Sequence, residues 1–181
     1  MEASAAAARL ACVLFGAAVG LLLSDRVCLR LCRPFAAGGA RLLKILWGIS
    51  QTTVVCAVAV LAAPLPVPTS ILYAGMGVLG AHSLAGQKTQ PLYLLSIICP
   101  WLILYLPFTG ALACLGGALL VLAADVPALA GLAMLVLAAP MALLQFGAEG
   151  GLVLLTGAVL LCPKELSAAW NESRGGQAYP G

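Results

Sequence analysis

Residues 45–63, ILWGISQTTVVCAVAVLAA, carry no charged side chain and end at PLPVP over residues 64–68. A helix crossing the hydrocarbon core of a bilayer needs about 20 predominantly apolar residues. The proline cluster supplies the stop and the turn. This stretch therefore reads as a membrane-spanning helix. Residues 126–146, VPALAGLAMLVLAAPMALLQF, read the same way. Asp125 stands at the N-cap, Pro127 lies in the first turn where its missing N–H costs little, and Pro140 marks a kink position.

The rest of the chain fits that solvent. Of its 181 residues 63% are hydrophobic and 8% charged, against about 25% charged in a soluble domain. So few charges cannot clothe a water-facing surface, whereas lipid accepts apolar side chains on every face. A spanning backbone must satisfy its own polar groups, as helices or as a closed barrel. Barrel strands alternate apolar and polar residues, and these runs are unbroken. The expected fold is all-α, a polytopic transmembrane helical bundle of six to seven segments, some short or re-entrant, in a single membrane domain over 1–181. The net charge of +3 gives no footprint for nucleic acid.

The expected segments are 5–23, 45–63, 69–86, 92–106, 111–124, 126–146 and 147–162. A basic cytoplasmic loop occupies 24–44, and a cytoplasmic tail follows Pro163 over 163–181. Two assignments stay open. Residues 1–23 suit either a helix or a cleaved signal, whose apolar core is similarly short. Residues 92–124, broken at Pro107-Phe108-Thr109-Gly110, form either two thin spans or a re-entrant hairpin. Cytoplasmic segments collect Lys and Arg. Seven crossings with the N-terminus outside put Arg26, Arg30, Arg33, Arg41, Lys44, Lys88, Lys164 and Arg174 inside and leave Arg9 alone outside. A single crossing by 92–124 would move Lys164 and Arg174 out and weaken that asymmetry.

Few residues offer chemistry. Arg26, Arg30 and Arg33 fall on one helical face, an arrangement for anionic-lipid contact or simply a topology signal. Cys28 and Cys32 beside them are candidates for S-palmitoylation, as is Cys162, with free thiols as the alternative. The seven cysteines lack the spacing of a disulfide framework or a zinc site. Glu149 is the one acidic residue among the candidate spans, with Gln145 one turn earlier. Together they suggest an intramembrane polar site, for which His82 is a conceivable partner, or a turn at the outer interface built on Gly147-Ala148-Glu149-Gly150-Gly151. Small residues spaced by four, at Gly16/Gly20, Ala113/Gly117 and Gly147/Gly151, allow close helix approach and contact with a partner helix. Residues 164–170 suit a short interfacial helix, and the glycosylation pattern at Asn171 would be silent in the cytoplasm.

No metalloprotease, serine-hydrolase or phosphate-binding motif occurs, so the expectation is a non-enzyme without a cofactor. The leading functional expectation is a subunit, assembly factor or organiser acting through intramembrane helix contacts. Its partners would be membrane lipids and a membrane protein or a second copy of itself. The expected location is the endoplasmic reticulum or another secretory-pathway membrane, or else the plasma membrane. The alternative function is a small transporter or channel subunit with a polar path near Gln145 and Glu149, and a lipid-modifying enzyme subunit is weaker still.

Overall fold

The structure, a computed structural model, describes residues 2–23, 37–84, 91–124 and 127–175. All regular structure among them is helical: α1 (Glu2–Leu22), α2 (Ala37–Ala62), α3 (Val67–Leu84), α4 (Pro91–Tyr105), α5 (Pro107–Ala124) and α6 (Pro127–Gly175). Among the described residues three stretches are long and apolar enough to cross a membrane, Ala3–Leu22, Leu42–Ala62 and Leu129–Pro163, while α4 and α5 are shorter apolar helices. Helices α4, α5 and α6 each begin on a proline, the residue best suited to a first helical position because no intrahelical bond is lost there.

Helix α6 is two arms. Gly147 interrupts it with φ 74° and ψ −169°, a backbone region open essentially to glycine alone. In a continuous helix, residues 143 and 151 would lie about 12 Å apart. Instead, a Cβ on Gly151 would sit 3.0 Å from Leu143 Cβ, and one on Gly157 would sit 3.5 Å from Leu135 Cδ1. The chain therefore folds back at Gly147, which makes seven helical segments among the described residues.

Helices α4 and α5 form a second hairpin. Leu106 N–H donates to Leu102 O at 2.8 Å and Gly110 N–H to Leu106 O at 2.6 Å, carrying the backbone through the turn. Gly110 then passes so close to Leu102 that a Cβ would strike its carbonyl. The two arms, about 22 and 27 Å long at 1.5 Å per residue, are both shorter than a hydrocarbon core of about 30 Å.

Helices α1 and α3 run parallel and nearly backbone to backbone. Cβ atoms on Gly16 and Gly77 would meet the carbonyl oxygens of Ala74 and Val13, and one on Gly20 would lie 2.9 Å from Ala81 Cβ. The Gly16/Gly20 pair is thus spent inside the chain. The same holds for Gly117, which makes room for Met134 of α6.

The core lies along α3 and α4, where Ile97, Ile98, Trp101, Leu102, Val78 and Leu79 are fully buried. Trp101 fills the space left by Gly75 and donates its indole N–H to Ile71 O at 3.1 Å. Outward, many large apolar side chains are exposed, Leu61 at 87%, Leu122 at 81%, Phe108 at 79% and Leu144 at 78% among them. Such a surface matches lipid and is costly in water.

Two expected boundaries are corrected. The basic loop does not extend to residue 44, because α2 already begins at Ala37. Ala40, Leu42 and Leu43 are good helix formers, and Lys44, 8% exposed, is drawn into the bundle. Nor does the last helix stop at Pro163, since α6 continues through it to Gly175. A proline inside a helix removes one hydrogen bond, and the following Lys164, Glu165, Leu166, Ala168 and Ala169 favour continuation.

Candidate functional site

The turns at 63–66, at Leu106 and at Gly147 share one end of the bundle with the start of α1. Glu149 stands in the first turn of the second arm of α6, where the helix dipole favours a carboxylate. Its partner is Arg9 of α1. Arg9 Nη2 donates to Glu149 Oε2 at 3.1 Å, and Arg9 Nε lies 3.0 Å from Oε1. The Nε–H is not aligned for a hydrogen bond. The aligned donor to Oε1 is Tyr73 of α3, whose hydroxyl gives its proton at 2.8 Å. The Arg9 guanidinium carbon is 6.0 Å from the Tyr73 ring centroid, the outer limit of a cation–π contact. Both charged side chains are 39% exposed, so the pair opens to the outside of the bundle.

Tyr105 completes this end. Its ring stacks on Phe146 at 4.9 Å, tying the two hairpin turns together. Its hydroxyl lies against Gly150, is buried and has no hydrogen-bond partner among the described residues. Only a glycine at 150 leaves room for it.

A second polar cluster lies at the opposite end. Side chains of α2 donate to carbonyls at the end of α1, where helical carbonyls run out of intrahelical partners. Trp47 Nε1 donates to Leu23 O at 3.0 Å and Gln51 Nε2 to Val19 O at 3.4 Å. Tyr93 of α4 donates its hydroxyl proton to Gln51 Oε1 at 3.0 Å. Ser96 Oγ donates to Tyr93 O at 2.6 Å, in space that Gly48 provides. His82 meets the Tyr93 ring edge-on at 5.4 Å. All these polar side chains except Trp47 are buried. This cluster terminates backbone and carries no acidic group among the described residues.

Of the sequence-derived candidates, Glu149 enters a polar site and Gln145 does not. Gln145 is exposed on the far side of the Gly147 break, and among the described residues no hydrogen bond joins it to Glu149. His82 is corrected as a partner, since it belongs to the opposite end with Tyr93. Arg26, Arg30, Arg33, Cys28 and Cys32 lie outside the described residues.

Sequence reasoning missed Arg9, Tyr73 and Tyr105. A signal for Arg9 existed: the expected seven-crossing topology sets Arg9 and Glu149 at the same end. Nothing in the sequence marked the two tyrosines.

No family model matches the chain, and neither a curated protein nor a solved structure matches it.

Proposed function

We propose that this protein is a multi-pass, non-enzymatic membrane subunit or organiser that works through helix contacts within the bilayer. The observation that carries this reading is the division of its polar groups into two end clusters with an apolar layer between. Tyr93 and Tyr105, on the same helix, are about 18 Å apart by helical rise. Ile97, Ile98, Trp101 and Leu102 fill the interval, each fully buried. A hydrated path for a polar solute would have to pass that layer, which counts against the transporter reading. The small-residue faces are consumed within the chain, so a partner or second copy would dock on the outward leucine and phenylalanine faces of α2, α5 and α6.

The proposed topology has seven crossings, the N-terminus and Glu149 outside, and the basic segment and tail in the cytoplasm of a secretory-pathway membrane. The packing supports it: α1 and α3 are parallel, and the three turns share one end. Glycosylation reporters placed in 24–36 and after residue 181 test the topology. Both remain unmodified if it is right, and modification at either site overturns it. Purification from cells in mild detergent tests the role. A stoichiometric membrane-protein partner, or a second copy cross-linked through α2 or α5, is expected. A monomer without a partner that moves solute across liposomes would sink the reading.

A further inference from the structure

We propose that Cys99, Cys114 and Met134 form a binding site for one soft monovalent metal ion, copper(I), inside the bundle. This goes beyond the subunit reading and does not depend on it.

Three helices converge on the site. Cys99 of α4 points its Sγ at Met134 Sδ of α6, 3.8 Å away. Cys114 of α5 stands across the hairpin, with its Sγ 3.9 Å from Cys99 O, and both cysteines pack against the core cluster that holds Met134. Gly117, one turn from Cys114, holds the place open: a Cβ there would lie 2.6 Å from Met134 Cγ and 3.2 Å from Met134 Sδ. Metal–thiolate bonds are about 2.3 Å long, so three sulfurs around one ion in a plane stand about 4 Å from one another. The Cys99–Met134 separation already has that value. Cys99 and Cys114 are half-buried, which gives an ion a way in, while Met134 is 2% exposed.

The donor set selects the ion. Thiolate together with thioether is the soft combination that suits copper(I). Zinc uses Cys, His or carboxylate and closes its structural sites with four ligands. Among the described residues no three His, Cys, Asp or Glu side chains gather to supply them. Charge balance points the same way. A buried net charge is costly, and one copper(I) with one thiolate is neutral. Binding therefore releases a single proton from one thiol to water, with the second thiol and the thioether as neutral donors. No electron is transferred.

The test uses the full chain in detergent under anaerobic, reducing conditions, loaded from a copper(I)–glutathione complex and challenged with a copper(I) chelator. In a variant whose Cys12, Cys28, Cys32, Cys56 and Cys162 are all serine, about one copper per chain is expected to remain, with only sulfur neighbours in X-ray absorption. Adding Cys99→Ser or Cys114→Ser should abolish retention, and adding Met134→Leu, which keeps the volume, should weaken it about tenfold without changing Tm. If the five-serine background does not fold, the same three substitutions in the otherwise natural chain should each remove or weaken one copper equivalent. Absence of retained copper, or retention indifferent to Met134→Leu, overturns the proposal. So does protection of Cys99 and Cys114 from alkylation until reductant is added, which would make the pair a disulfide.

Discussion

The two ends of the bundle solve the same problem with different chemistry. At the turn end, formal charges meet: Arg9 and Glu149 are joined at 3.0–3.1 Å and braced by Tyr73. At the other end, neutral side chains (Trp47 and Gln51) finish the backbone of α1. A neutral hydrogen bond lost costs little more than one unsatisfied group, whereas a charge left without its partner in a low-dielectric setting costs several-fold more. The turn end should therefore be the sensitive one, and its elements, α1, α3 and the second arm of α6, should come apart together.

Glu149→Leu is the sharpest way to break that contrast. It strands Arg9, and because both side chains are 39% exposed the loss should fall between the surface and buried extremes, at about 1–3 kcal/mol. Unfolding in mixed micelles measures it, and the double variant Arg9→Leu/Glu149→Leu should recover most of the loss. Additive effects would show that the pair is uncoupled.

Gly147→Ala comes next, at about 1–2 kcal/mol, because open space surrounds the residue but its φ of 74° does not suit a side chain. The same assay reads it, and a neutral result would mean that the reversal needs no glycine.

At the other end, Trp47→Phe keeps most of the ring and removes only the donor to Leu23 O, for about 1 kcal/mol. A loss larger than that of Glu149→Leu would invert the comparison. Gln145→Leu should be the mildest, within about 0.5 kcal/mol, since Gln145 is exposed and outside both clusters. A large effect would restore it to the polar site.

The all-helical class was legible because unbroken apolar runs leave the backbone no other way to satisfy itself in lipid. The interruption between 126–146 and the following segment was legible too, since a glycine cluster separates two apolar runs. The stop at Pro163 was misread, because a single proline costs one hydrogen bond and does not oblige a helix to end. The start of α2 was placed late for a related reason: Lys44 looked like a loop residue, and only the bundle shows it buried.

What the sequence by itself determined is the solvent, the helical class and the positions of most turns, all of which follow from local composition and the length a span requires. It also carried a latent signal for one pairing, since the expected seven-crossing topology sets Arg9 and Glu149 at the same end. The tertiary structure alone decided which residues meet. It gave Glu149 to Arg9 and Tyr73 rather than to Gln145 or His82, spent the Gly16/Gly20 face on α3, and brought Cys99, Cys114 and Met134 to one point. Pairings of that kind depend on which helices lie side by side and how far each is rotated, and in lipid, where every apolar face is equally content, composition does not specify either.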